Sequence, residues 1–166
     1  MILLGKSQLA DRNSLQSCLD AAYRYLSYRP RSEAEIRQWL RRRNFASEVT
    51  EEAIARLREQ NLSDDFAFAQ FWRDNRLSFR PKSKRLIEKE LRDKKVAAEI
   101  IEQVTENIND EEIAYKLGSS RMPALAHLDY PDFLRRLANY LGYRGFSYQV
   151  IRDTAARLWR EKENNK

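Results

Sequence analysis

Few side chains in this sequence are equipped for bond-making chemistry. It holds one histidine, His127, and one cysteine, Cys18. Zinc needs three or four convergent nitrogen, sulfur or carboxylate ligands, and a lone His with a distant lone Cys does not supply them. His127 reads as a surface residue in a loop with Met122 and Pro123. Cys18 reads as a small helix residue rather than a nucleophile. The adjacent acids Asp64 and Asp65 are the one pair that invites comparison with a metal site. Successive residues on a helix point about 100° apart, so these two carboxylates do not converge on one ion. Their place after Ser63 suits a helix start instead, with Ser63 as the cap and both acids in the first turn. No GxxxxGK[ST] phosphate loop occurs. The sequence therefore predicts a protein that is not an enzyme, with no cofactor and no metal.

The basic residues carry the stronger signal. Net charge is +6, from 31 basic and 25 acidic residues, which favours a polyanion or an acidic protein surface as partner. Arg37, Arg41, Arg42 and Arg43 crowd one predicted helix. The stretch from Arg80 to Lys95 holds eight basic residues (Lys82, Lys84, Arg85, Lys89 and Arg92 among them) against three acidic ones. On a helix with Ile87 and Leu91 inward, Arg85, Lys89 and Arg92 face outward. With Arg135 and Arg144 these make the candidate partner surface: Arg37, Arg41, Arg42, Lys82, Lys84, Arg85, Lys89, Arg92, Arg135 and Arg144. Arg41 and Arg92 hold the same place in successive repeats, as do Arg85 and Arg135. The plainer alternative is a solvated charged face, and the sharper one a track for phosphates or acidic side chains. Most aromatics fall at helical spacing and read as core. Tyr28, Phe79 and Tyr143 stand near joints, exposed for partner contact or base stacking.

These residues are positioned by a repeat. Ile36, Leu40 and Phe45, then Ile87, Leu91 and Val96, then Leu137, Leu141 and Phe146 share one spacing; Ile36 to Ile87 is 51 residues and Ile87 to Leu137 is 50. Val49, Ile100 and Val150 continue the match, as do Leu57, Ile108 and Leu158. A period of this length predicts small helical units that bury their apolar faces within themselves and against neighbours. Each unit alone is marginal for its size. Only four Gly and four Pro leave little material for hairpins, and no convincing strand pattern appears. The expected fold is all-α: an elongated array of three tandem three-helix repeats over 14–61, 62–108 and 109–166, after a flexible lead-in over 1–13.

Helices are predicted over 15–27, from Ser32 to 43, and over 47–60. The stretch from Ser32 to Glu35 forms a capping box. The next trio begins after Ser63, with Phe66, Ala69, Phe71 and Trp72 on its first helix, and continues over 83–94 and 98–107. The third is capped at Asp110, breaks in a loop around Met122 and Pro123, resumes with Pro131 in a first turn, closes at Gly142 and Gly145, and ends with a helix over 147–162. A single cysteine allows no intrachain disulfide. The apolar run at the start is too short for a signal peptide or membrane span. Together these predict a cytoplasmic protein.

Several stretches resemble the RecX family, the regulators of the RecA recombinase. They are Arg29-Pro30-Arg31-Ser32-Glu33-Ala34-Glu35-Ile36, Leu62-Ser63-Asp64-Asp65-Phe66-Ala67-Phe68-Ala69, Lys84-Arg85-Leu86-Ile87-Glu88-Lys89-Glu90-Leu91 and Tyr140-Leu141-Gly142-Tyr143-Arg144-Gly145-Phe146. Asn44 and Lys95 stand where the family often has glycine, and Gly145 keeps it. The resemblance implies a curved all-helical protein, monomeric, that binds RecA, mainly as its filament on DNA. It implies damping of filament extension, ATP hydrolysis, strand exchange and coprotease activity in DNA repair, recombination and the SOS response. Under it the ten basic residues would meet RecA or, weakly, DNA. The alternative is a helical-repeat DNA-binding protein whose basic face acts without RecA.

Overall fold

The structure is a computed structural model and describes residues 14–164; the expected lead-in over 1–13 lies outside the described residues. Within them lie nine α-helices and no strand: α1 Leu15–Leu26, α2 Glu33–Arg42, α3 Ser47–Glu59, α4 Asp65–Phe79, α5 Lys84–Asp93, α6 Ala98–Thr105, α7 Asp110–Leu125, α8 Tyr130–Gly142 and α9 Tyr148–Asn164.

The repeated Leu-x4-Phe spacing has a local cause. At Asn44, Lys95 and Gly145 the backbone turns left-handed, with φ of 64°, 60° and 85°. In each case the following N–H reaches back to the leucine carbonyl: Phe45 to Leu40 at 3.4 Å, Val96 to Leu91 at 3.2 Å, Phe146 to Leu141 at 3.3 Å. This is the Schellman ending, in which the residue after the left-handed one packs on the helix it closes. Gly142 was expected to share that role with Gly145, but it is the last residue of α8 and its φ is not positive.

Several starts differ from expectation. The Ser32 box forms as predicted, with its hydroxyl accepting from Glu35 N–H and the Glu35 carboxylate accepting from Ser32 N–H. At α4, however, Asp64 rather than Ser63 is the cap: its carboxylate accepts from Phe66 and Ala67 N–H at 2.8 and 3.1 Å. Ser63 is buried and its hydroxyl has no hydrogen-bond partner. At α7 the cap is Asn109, accepting from Glu112 N–H at 2.9 Å, not Asp110. Met122 and Pro123 are in the last turns of α7 rather than a loop. Proline removes one helical N–H there, and the chain recovers at once through Ala126 N–H to Met122 O at 2.8 Å. The exposed His127 follows in the turn. In the middle trio α6 stops at Thr105, so Ile108 lies past the helix, and Phe68 rather than Phe66, Phe71 or Trp72 is the aromatic fully buried on α4.

The helices gather into two compact units. One holds the described residues up to Trp72 together with Leu91–Ile101; the other holds Arg73–Glu90 together with the described residues from Glu102 on. The division passes through α4, α5 and α6. In the first unit, Cys18, Leu19, Ala21 and Ala22 of α1 meet Ile36 and Leu40 of α2 and Ala53, Ile54 and Leu57 of α3. In the second, Ala114 and Leu125 of α7 meet Phe133, Leu137 and Leu141 of α8 and Val150, Ile151, Ala155 and Leu158 of α9. The repeat leucines are thus the core, each contributing about 1.5–3 kcal/mol by burial.

Candidate partner-binding surface

Each unit contains a joint between successive trios, built from equivalent residues. In the first, Ser32 Oγ donates to Lys94 O at 2.9 Å, and Asp65 accepts from the N–H of Glu33 at 2.8 Å. In the second, Ser83 N–H donates to Arg144 O at 3.0 Å, and Asp110 accepts from the N–H of Lys84 at 2.8 Å. Ser32 and Ser83, Glu33 and Lys84, and Lys94 and Arg144 are repeat equivalents. Asp65, expected in the first turn of its helix, and Asp110, expected to cap its own, therefore satisfy the free N–H at the start of the preceding trio's middle helix. Burial is the largest influence on both carboxyls and holds Asp65 and Asp110 above their usual range, against the lowering effect of the N–H each accepts.

Glu35 is the hub of the first joint. Arg29 grips it with two bonds, at 3.1 and 2.8 Å, and Lys94 reaches it at 2.5 Å. Both cations also lie over the Trp72 ring, at 5.7 and 4.9 Å. Burial alone would raise its pKa, yet the bonds from Arg29, Lys94 and Ser32 N–H prevail and hold the carboxyl down at about 2. Beside this hub lies an open cleft of about 980 Å³, lined by cations Arg37, Arg41, Arg42, Lys94 and Lys95 with Glu35, Asp93, Tyr25 and Trp39. Tyr25 and Trp39 stack at 4.5 Å, and Arg31 and Arg43 cover their outer faces at 4.0 and 4.2 Å. With both faces of each ring occupied, the cleft has charge but no free platform for a base.

The ten predicted basic residues are not equivalent. Arg37 is spent within its own trio, on Glu51 at 2.7 Å and Glu33 at 2.8 Å. Arg41 is exposed, 3.6 Å from Glu51, and Arg42 is exposed beside it. Lys82 pairs with Glu90, which also takes Arg76 at 2.6 Å. Lys84 is half-buried at the second joint, while Arg85, Lys89 and Arg92 are exposed. Arg135 pairs with Asp132 at 2.8 Å. Arg144 lies on the Tyr140 ring at 3.9 Å and donates to its carbonyl at 3.1 Å. The fold thus gathers Arg37, Arg41 and Arg42 at one cleft, and Lys84 and Arg144 at the other joint. Sequence reasoning missed Lys94 and Lys95 as cleft residues and Glu35 as hub; the Arg29 to Glu35 spacing was the available signal.

Three of the residues weighed for chemistry are otherwise occupied. Asp64 and Asp65 each serve backbone N–H groups. Cys18 is fully buried in the first core, and burial pushes its thiol up to about 11, which leaves little thiolate at neutral pH. No described helix is long and apolar enough to cross a membrane.

Three-helix units joined by a shared set of end-to-end hydrogen bonds define a tandem helical-repeat protein. The particular repeat is recognisable. Sequence models of the first, second and third three-helix domains of RecX match residues 18–57, 64–104 and 109–154. The chain is 32% identical over 139 residues to the regulatory protein RecX of Streptomyces coelicolor, covering 82% of this chain and 74% of that one. It is 34% identical over 161 residues to that of Corynebacterium efficiens, covering 90% and 76%. The crystal structure of RecX from Lactobacillus salivarius superposes with a TM-score of 0.76 at 24% identity, over 90% of this chain and 97% of that one, a likeness of fold. The chain belongs to the RecX family of regulatory proteins.

Proposed function

We propose that this chain regulates the RecA recombinase by contact and performs no bond chemistry of its own. It binds RecA, mainly as the filament on DNA, and restrains filament extension, ATP hydrolysis, strand exchange and coprotease activity during DNA repair, recombination and the SOS response. It acts as a monomer in the cytoplasm. The observation that carries this reading is the match to all three RecX domains in order. The exposed Arg41, Arg42, Arg85, Lys89 and Arg92 support a partner surface of opposite charge. Arg37, Lys82, Lys84, Arg135 and Arg144 are counted with them as candidate partner residues. Contacts spread over several repeats add as linked sites do.

The test is ATP hydrolysis by RecA on single-stranded DNA with the chain added at stoichiometric amounts. The expected result is a fall in rate; an unchanged rate refutes the reading. Reversing the charge of Arg85, Lys89 and Arg92 together is expected to weaken RecA binding. Loss of salt-sensitive DNA binding with RecA binding intact would favour a basic face that serves DNA directly.

A further inference from the structure

The two joints share a hexapeptide. Residues 27–32 read Ser-Tyr-Arg-Pro-Arg-Ser and residues 78–83 read Ser-Phe-Arg-Pro-Lys-Ser, 51 positions apart. The serine that ends each is a buried joint residue. The aromatic second residue is the opposite: Tyr28 is 83% exposed and Phe79 is 77% exposed. A single exposed aromatic is ordinary. Here the same position is exposed twice, on segments whose other members are tied down.

Around Tyr28, Arg29 grips Glu35 and donates to Pro30 O at 2.8 Å. Arg31 lies on Tyr25 at 4.0 Å, and Ser32 binds Lys94 O at 2.9 Å. Around Phe79, Arg80 N–H binds Arg76 O at 3.1 Å, Lys82 pairs with Glu90, and Ser83 N–H binds Arg144 O at 3.0 Å. Proline fixes φ in both. The third repeat shows what the alternative looks like. Pro131 is the equivalent of Pro30 and Pro81, but Asp129 occupies the aromatic position as a helix cap. The neighbouring Tyr130 folds onto Phe133 and Trp159, at 6.4 and 5.2 Å. At this repeat position two of the three repeats therefore hold an exposed ring on a tied-down backbone, one in each compact unit.

We infer that Tyr28 and Phe79 are paired anchor residues that enter the same apolar socket on two subunits of one polymeric protein partner. An aromatic on a fixed backbone has only two side-chain torsions to order on docking, and buried aromatics dominate interface energies. Duplication at equal repeat positions fits a partner whose own surface recurs; a single asymmetric target has use for one. This rests on the proposed function, with RecA filaments as the partner.

The experiment measures affinity of the full chain for RecA in two states, assembled on single-stranded DNA and unassembled without nucleotide or DNA. The variants are Tyr28→Ala, Phe79→Ala, both together, and the ring-preserving pair Tyr28→Phe with Phe79→Tyr. On unassembled RecA the two anchors are alternatives, so each single change is expected to cost about twofold and the double about tenfold or more. On the filament both engage, and each single change is expected to cost about tenfold and the double about a hundredfold. The ring-preserving pair is expected to bind as the unaltered chain does, and thermal unfolding to be unchanged throughout. Binding of the double alanine variant at full strength overturns this inference alone. So does a single-variant loss that is equal on filament and subunit, or a change in the mass of the chain by itself, which would assign the rings to self-association. Failure of the unaltered chain to bind RecA overturns the proposed function and this inference with it.

Discussion

Replacing Glu35 with Gln removes one charge from the hub of the first joint and little volume. The carboxylate is held from an ordinary 4.5 down to about 2. At about 1.36 kcal/mol per pH unit this amounts to at most about 3 kcal/mol at neutral pH. The Glu35 side chain is 12% exposed, but Arg29 and Lys94 are each 27% exposed, so solvent screens part of it. We expect about 2 kcal/mol of destabilisation. The sign with pH follows from a lowered folded-state value. The stabilisation is complete above about 4.5 and is lost as pH falls through about 2. The gap between parent and variant should therefore stand near 2 kcal/mol at pH 7 and close progressively below pH 5. Urea unfolding of both proteins across this range measures it. Trp72, over which Arg29 and Lys94 lie, contributes a fluorescence signal from the joint alongside Trp39 and Trp159, and amide exchange at Ser32 and Glu35 localises the loss. A gap below about 0.5 kcal/mol at pH 7, or one constant from pH 6 to 3, would refute the hub.

Substitutions at three further positions test the joints and helix ends by thermal or urea unfolding. Gly145→Ala places a Cβ 2.7 Å from Ser83 Oγ and 2.9 Å from Leu86 Cβ at a φ of +85° and should destabilise by about 1–3 kcal/mol, whereas Lys95→Gly, relieving a left-handed lysine, should stabilise by about 1 kcal/mol; equal effects of the two would contradict the different packing of these helix ends. Asp65→Ala should cost about 1 kcal/mol by leaving the Glu33 N–H unbonded, while Asp65→Asn keeps an acceptor and sheds a buried charge. Because the folded Asp65 carboxyl is raised, its charged form is disfavoured as pH rises through that raised value, so the Asn variant should match or exceed the parent at pH 7 and lose this advantage below pH 4.

The trios were legible because their signals are local. The spacing of Leu40 to Phe45 is both an apolar period and a helix ending, and the Ser32 to Glu35 box lies within one turn. What the sequence concealed depends on distant partners. Ser63, Asp64 and Asp65 are all able to cap, as are Asn109 and Asp110, and nothing nearby decides among them. The choice is made elsewhere, because Asp65 and Asp110 are claimed by the N–H groups of Glu33 and Lys84. The partners of the basic residues were concealed in the same way. Helical period places Arg37 outward, but Glu51 of the next helix takes it, a pairing that no spacing rule within α2 reveals. Arg41 and Arg42, one turn further on, escape that helix's acids or meet them only at 3.6 Å, and so match the outward reading.

The period of the sequence and the division of the fold are out of phase. A gene cut at the repeat boundary near residue 62 would take Trp72 and Lys94 from Arg29 and Glu35, and a cut near 109 would part Ser83 from Arg144. Neither incision yields an intact building block. Shortening or lengthening such a chain one trio at a time would demand recutting an end surface on each occasion, and a workable two-trio offspring would keep the central segment whole.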